Sequence, residues 1–580
     1  MKLKLFFPII ENFSTHSAQD WRKDLIAGIT VAVMLVPQGM AYAMLAGMPP
    51  IYGLYGGLIP LLLYAILGTS RQMSIGPVAI SALLVMAGVS QIAAPMTPEY
   101  ISLVILTGLL VGLAQFLLGV FRLGFLVNFI SHPVIVGFTS AAAIIIAVSQ
   151  LKDLLGISIP RFSHAFETVH YAADHFSETN WLTVSLCFGS IIVMVILKKI
   201  NKAIPGALLV VVVGTLLVYF LGEEKMGVEI IRDVPQGFPT FQIPEITLEK
   251  LEILAPTIFT VTIICIVESI AIAKVLQAKH GDYQIRADQE LIALGISKIG
   301  GTFFQSIPTS GSFTRSAVNH ESGARSGFAS IFTATLVGLT LLFLTPLFYY
   351  LPKAILAAII LLSVKSLFDW KEAKHLWQTH RSDFYMMLTT FIVTLVLGIE
   401  QGVLAGVILS ICMVLYRSSK PHIAILGKLP SSINYRNIDR FESAKEPEDI
   451  LVIRFDDQLY FGNASYFQEI IQEIVNKREV KPKMVLLDAS SMHDMDSTGI
   501  HTLEEMQKYL NGKNITFYIS GMRGPVRDFA TKCGIIEKMG EQNCFLNIHQ
   551  GVTHFKNMQD GLEKTWTRDA LQSNLDEDAN

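Results

Sequence analysis

Apolar residues run in long stretches over the first 420 positions and then break into short alternating runs. Eleven stretches are long and apolar enough to cross a bilayer, near residues 25–46, 51–68, 101–121, 130–150, 181–198, 204–221, 253–273, 327–346, 351–366, 383–399 and 402–417. A spanning helix needs roughly 20 such residues. Three weaker segments complete the series: 76–94 opens on Gly76-Pro77, 288–304 is rich in glycine, and 306–324 is interrupted by polar residues. The pattern predicts 14 spans, so both termini lie on one side. Lysine and arginine choose the side. With the N-terminus inside, about 19 of them fall at inner ends and loops against about 6 outside, leaving aside two at membrane depth.

After Lys420 the period changes. Strand-like runs at Ile450–Phe455, Met484–Leu487, Ile515–Ile519 and Cys544–Ile548 alternate with helical stretches near 463–477, 497–511 and 523–533. Such alternation predicts an α/β domain with helices packed on one sheet, and its charge places it in water. The expected division is a membrane domain over 1–420, a soluble domain over 421–560 and a disordered tail over 561–580.

Composition agrees. Of the 580 residues 51% are hydrophobic and only 16% charged, where a soluble domain carries about 25%. The net charge of −3 comes with no long basic stretch, so nucleic acid is not an expected partner. Cys187, Cys265, Cys412, Cys533 and Cys544 have neither paired nor metal-ligand spacing, which predicts free thiols and no metal. The opening Lys2-Leu3-Lys4 and its short apolar run, broken by Pro8, lack the length and cleavage site of a signal peptide. The N-terminus is expected to be retained and cytoplasmic. No nucleophile triad, nucleotide loop or cofactor motif is present, so neither an enzyme nor a cofactor is expected.

Polar and helix-breaking residues at membrane depth are expensive, and they mark where function resides. In the first span Pro37 removes a backbone donor, and Gln38 and Tyr42, four residues apart, share one helical face. Gly76-Pro77-Val78-Ala79 marks a helix that starts inside the membrane and points its free N–H groups and positive dipole end at whatever lies before it. An anion is the natural occupant. Ser306 to Ser316 repeats the device in the second half: Pro308, Gly311 and a series of hydroxyls precede another short helix. These breaks fall in the third and tenth spans, each third in a set of seven. Interrupted segments at matching places in two halves are the best sequence pointer to a transporter's site, and an odd number of spans per half makes the halves antiparallel. Glu268 is the one acid inside the apolar run Phe259–Ala273. A carboxylate there costs about 2.5–3.5 kcal/mol on insertion scales. It is a candidate to relay a proton or help hold a sodium ion; the plainer alternative is that it neutralises Arg315.

These residues resemble the SulP sulfate-permease family over nearly the whole chain. Pro37-Gln38-Gly39-Met40-Ala41-Tyr42-Ala43-Met44-Leu45-Ala46-Gly47, running into Pro49-Pro50-Ile51-Tyr52-Gly53-Leu54-Tyr55, is similar to the family signature. Gly68-Thr69-Ser70-Arg71 before Gly76-Pro77 resembles the approach to its third span, and Thr314-Arg315-Ser316 its tenth. The soluble part resembles a STAS domain: Asp488-Ala489-Ser490 and Met495-Asp496-Ser497-Thr498-Gly499 match the loop where anti-sigma-factor antagonists carry a phosphorylated serine, with Thr498 at that position. The resemblance implies a 7+7 inverted repeat, half-helices at spans 3 and 10, an elevator-like mechanism and a homodimer. It implies an anion site made of Gln38, Tyr42, Val78, Ala79, Ser312, Phe313 and Thr314, with the positive field of Arg315 nearby and Glu268 linked to cation coupling.

The expectation is therefore a multi-pass protein of the plasma (inner) membrane with both termini cytoplasmic. It imports a small anion, sulfate first, with protons, and its STAS domain regulates or assembles it. The rival readings are bicarbonate or a dicarboxylate as substrate, sodium as the coupling ion, and a membrane-anchored STAS signalling protein. Broken helices at matched positions argue against the last, since an anchor needs none.

Overall fold

Where neither proline nor glycine interrupts an apolar run the chain forms a long helix, and where one does the helix is cut short. The computed structural model describes residues 7–10, 16–125, 131–160, 162, 165–200, 205–222, 227–232, 234–281 and 283–561. The expected tail lies almost wholly outside them. Two compact units divide at Ile411 and Cys412, within the last membrane helix.

The spans of the first repeat are span 1 (Ala18–Leu45), span 2 (Ile51–Gly56 with Ile59–Leu67), span 3 (Ala79–Val89), span 4 (Pro98–Val120), span 5 (His132–Ser149), span 6 (Trp181–Ile200) and span 7 (Gly206–Leu221). Those of the second are span 8 (Leu248–His280), span 9 (Ala287–Thr302), span 10 (Phe313–Glu321), span 11 (Phe328–Leu339), span 12 (Lys353–Val364), span 13 (Arg381–Leu397) and span 14 (Ile399–Ser419). Spans 3 and 10 have 11 and 9 residues. At 1.5 Å per residue each reaches about half-way through a 30 Å hydrocarbon core. Span 8, with 33 residues, is longer than the 253–273 expected and, at about 50 Å, longer than a 30 Å hydrocarbon core is thick. Span 10 is helical only from Phe313; the residues before it, expected as part of the span, are extended.

The packing repeats itself with inverted topology. Span 11 lies against span 1 as span 4 lies against span 8. Span 3 meets span 8 as span 10 meets span 1, and span 5 meets span 13 as span 12 meets span 6. Advancing seven spans converts each contact into its counterpart, which is the signature of a 7+7 repeat. Two helices were not expected, Ala165–Asp174 and Trp370–Thr379. Both are too short and too polar to span. Their exposed Phe166 and Trp370 suit the membrane interface, where aromatic rings settle.

Spans 1 and 2 touch backbone to backbone. A Cβ on Gly53 would lie 1.9 Å from the Gly39 carbonyl oxygen, closer than any side chain tolerates. The glycines of the opening motif are thus packing requirements.

The C-terminal unit contains a six-stranded sheet in the order β4-β3-β5-β6-β7-β8. Its strands are β3 (Ile423–Lys428), β4 (Tyr435–Asn437), β5 (Ile450–Phe455), β6 (Met484–Asp488), β7 (Thr516–Ser520) and β8 (Cys544–Phe545). Strands β5 to β8 are parallel, and β3 runs antiparallel to β4 and β5. Alternate residues of β5 enter two cores: Leu451, Ile453 and Phe455 pack with the helices Ala464–Lys477, Ser497–Asn511 and Gly524–Lys532, while Ile450 and Val452 face the helix Ile548–Gln559. Strands β3 and β4 were not foreseen. The strand expected over Cys544–Ile548 stops at Phe545, because Asn547 caps a helix by accepting from the Gln550 N–H.

Replacing Gly53 with alanine should force spans 1 and 2 apart, at about 1–3 kcal/mol for overpacking. The purified Gly53→Ala protein is expected to lose several degrees of thermal stability in detergent. Gly189→Ala, where nothing lies within 4 Å of the added methyl, should not.

Candidate anion-binding site

The two broken helices meet. Strand β1 (Ile75–Gly76), just before span 3, pairs antiparallel with β2 (Ser310–Gly311), just before span 10, in the register Ile75↔Gly311 and Gly76↔Ser310. The Ser312 N–H extends the ladder to the Ser74 carbonyl at 3.0 Å, and the Ser316 hydroxyl accepts from the Ser74 N–H at 2.9 Å. Extended backbone inside a membrane is tolerated only where protein satisfies it, and here each break satisfies the other. Both half-helices therefore begin beside one crossing, with their positive ends towards it.

The two starts differ. Val78 caps span 3 with extended backbone and no side-chain hydrogen bond, which leaves the first amides of that helix without a side-chain acceptor. Ser312 caps span 10, its hydroxyl accepting from the Arg315 N–H at 3.4 Å. Val78, Ala79 and Ser312 are buried, whereas Phe313 and Thr314 are exposed.

Arg315 ties the crossing together. It is fully buried, and its Nη1 donates to the Pro77 carbonyl at 3.0 Å and to Gln38 Oε1 at 3.4 Å. Its Nε and Nη2 have no partner among the described residues. A guanidinium stays charged in proteins, so a buried one with two open N–H groups is an unusual expense and a ready anion ligand. Gly76 makes room for it: its φ is +155°, and a Cβ there would lie 3.1 Å from Arg315 Nη2. Tyr42 is buried one turn beyond Gln38.

Glu268 sits on the far side of β2. Its Oε2 accepts from the Ser310 hydroxyl at 3.1 Å. The same hydroxyl lies 3.2 Å from that of Ser269 and 3.4 Å from the Cys265 carbonyl, and Ser269 accepts from the Gly311 N–H at 3.0 Å. The hydrogen bonds of Glu268 and Arg315 thus go to different partners, and the expected alternative of a direct neutralising pair is not what the structure shows. The sequence-derived residues gather round the crossing, Glu268 on one flank and Gln38, Tyr42 and Arg315 on the other.

Sequence reasoning passed over three buried charges. Glu290 of span 9 is fully buried and accepts from the Tyr64 hydroxyl (2.7 Å), the Thr69 N–H (2.6 Å) and hydroxyl (2.5 Å), and the Ser70 N–H (3.0 Å). It fixes the loop that leads into β1. Asp24 of span 1 holds the loop after span 10, through the Arg325 N–H (2.6 Å) and the Ser326 N–H (3.2 Å) and hydroxyl (2.5 Å), and pairs with His16 at 2.8 Å. Lys298 of span 9 is buried and donates to Gln115 Oε1 at 2.8 Å. Glu290 and Asp24 sit at span ends, where an acid is unremarkable in sequence; span 9 was judged on its glycines. A lysine eleven residues into an apolar span was the available signal.

An inverted repeat with two half-helices meeting at mid-membrane, followed by an α/β domain, defines a class of membrane transporters. Comparison with known proteins narrows it. Residues 21–390 match the sulfate permease family and residues 443–551 the STAS domain. The chain is 38% identical over 567 residues to Sulfate transporter 4.1, chloroplastic, of Arabidopsis thaliana, covering 94% of this chain and 82% of that one. Among solved structures, the murine Solute Carrier 26 family member A9 anion transporter in the inward-facing state superposes with a TM-score of 0.88 at 26% identity, over 95% of this chain and 94% of that one. The transmembrane domain of the cyanobacterium bicarbonate transporter BicA shares the fold, with a TM-score of 0.60 at 20% identity over 67% of this chain and 98% of that one. This protein belongs to the sulfate permease family and is a multi-pass membrane transporter with a C-terminal STAS domain.

Ala79 is a small, buried residue at the first turn of span 3. Ala79→Leu is expected to reduce anion uptake at least about tenfold, a loss of some 1.4 kcal/mol, while membrane insertion and the size-exclusion profile stay unchanged. Uptake and affinity equal to the unmodified protein would move the site elsewhere.

Proposed function

We propose that this protein is a secondary active importer of a small oxyanion, sulfate first, driven by an inward proton gradient. The observation that carries the reading is the buried Arg315, with two open N–H groups beside the starts of both half-helices. The names of its plant relatives, which are sulfate transporters, support sulfate over other anions that backbone amides and a guanidinium would hold equally well.

In this reading the anion rests between Val78-Ala79 and Ser312-Phe313-Thr314, facing Arg315, with Gln38 and Tyr42 alongside. Glu268 supplies the coupling. Ionised, it accepts the Ser310 proton. Protonated, it donates to the Ser310 oxygen, and the Ser310 hydroxyl turns to the Cys265 carbonyl 3.4 Å away. Ser310 is three residues before the first residue of span 10, so the proton changes the hydrogen bonding at the threshold of the anion site. Spans 1–4 and 8–11 would move as one core against spans 5–7 and 12–14, an elevator motion.

The remaining assignments keep the expectations from the sequence, namely both termini cytoplasmic, the plasma membrane as location and a STAS domain that modulates transport from outside the pathway, and from the family resemblance, namely a homodimer as the assembly. The membrane domain would close near residue 420 and the soluble domain near residue 560.

The decisive test uses purified protein in liposomes with labelled sulfate, bicarbonate or succinate and imposed pH or sodium gradients. Sulfate accumulation on a pH gradient is expected. Glu268→Gln fixes the group neutral at constant volume, so sulfate binding should persist within about threefold while accumulation against a gradient is abolished and its pH dependence flattens. A stable Glu268→Gln protein that still concentrates sulfate on a proton gradient would remove Glu268 from coupling, and accumulation driven by sodium alone would replace the proton.

A further inference from the structure

Lys298 has no part in the mechanism so far, yet few side chains in the membrane unit are more expensively placed. It is 3% exposed, the twelfth of the sixteen residues of span 9. Its ammonium finds no carboxylate at ion-pair distance among the described residues; it bonds the neutral amide of Gln115 on span 4 at 2.8 Å. That amide in turn donates to the Thr262 carbonyl of span 8 at 3.4 Å. The lysine is packed hard as well as bonded, since a Cβ on Gly112 would fall 2.8 Å from its own Cβ. Three spans therefore hold one positive charge in a fixed place.

That place lies within electrostatic reach of the anion machinery. Thr262 precedes Glu268 by six residues on one helix, about 9 Å of rise, a separation over which a charge buried away from solvent is little screened. A packing role does not explain the choice of residue: a neutral side chain fills the space without the desolvation penalty of a buried ion. What lysine alone adds is a field. With Glu268 ionised, Arg315 and Lys298 leave the region one net positive charge; with Glu268 protonated they leave two, the complement of a divalent anion.

We propose that Lys298 sets the valence preference of this transporter, favouring a divalent oxyanion over a monovalent one by its fixed field rather than by contact. The proposal rests on the anion site described above. It has a quantitative signature. The energy of an ion in a potential is proportional to its charge, so removing the field costs a divalent anion twice the free energy it costs a monovalent one. The loss in affinity for the first is the square of the loss for the second.

The test is competition of labelled sulfate uptake in liposomes by unlabelled sulfate, thiosulfate and nitrate, on the full-length protein. Lys298→Gln, which keeps a donor for Gln115, is expected to weaken nitrate about threefold and both divalent anions about tenfold. Lys298→Arg, which keeps the charge, should restore the original sulfate-to-nitrate ratio. Gln115→Glu is the independent variant should Lys298→Gln fail to insert: it cancels the ammonium's charge in place with almost no change of shape, and the same unequal losses are expected. Equal losses for all three anions, or an unchanged ratio in Gln115→Glu, would overturn the role of Lys298 and leave the anion site standing. An unmodified protein that binds no divalent anion would overturn both.

Discussion

A backbone that stops being helical half-way through a bilayer must find partners for its amides and carbonyls, and everything distinctive in the membrane domain follows from how that demand is met. Water is not available to do it, and lipid cannot. Here the two breaks satisfy one another through the short β1–β2 ladder and its extension from Ser312 to Ser74. Neither break is stable alone. The inverted repeat is thus more than a record of duplicated sequence, because it brings two matching deficits to one point where they cancel.

The cancellation is incomplete, and what remains is positive. Two helix starts leave positive dipole ends at the crossing, and Arg315 adds a full charge that its protein partners only partly satisfy. Buried positive charge held by rigid elements binds an anion without first reorganising. The surrounding carboxylates are kept apart from this task. Glu290 and Asp24 spend their oxygens on loop amides and hydroxyls, which fixes the approaches to the broken helices. Glu268 alone bonds at β2, through a hydroxyl with a second acceptor within reach. Its oxygens are not spent on loop amides as those of the other two are.

The soluble domain obeys a different constraint. Its sheet is covered on both faces, and β5 alternates between two cores, so a parallel centre is buried as such sheets demand. Asp496 caps the helix Ser497–Asn511 by accepting from the Gly499 N–H at 2.8 Å. Ser497 and Thr498 are exposed at that cap, which presents the loop resembling a phosphorylated one to solvent.

The sequence by itself determined the number of spans, the two breaks at matching places, the glycines that let spans 1 and 2 touch, and the alternating order of the soluble domain. These are properties of local composition: apolar length, helix breakers and period. It also singled out Gln38, Arg315 and Glu268, since a polar group within an apolar run is conspicuous wherever the run folds. It missed β3, which is a strand because β5 offers an edge, and β4, which pairs in turn with β3, and the two amphipathic helices, too short to announce themselves as spans. Tertiary structure alone decided the partners. That Arg315 bonds Pro77 across 238 residues, that Glu268 bonds Ser310 rather than Arg315, and that Lys298 is held by Gln115 are facts about which buried groups packing brings within hydrogen-bond distance of one another. A buried charge is visible in a sequence, whereas the group that answers it is fixed only when the chain closes around it.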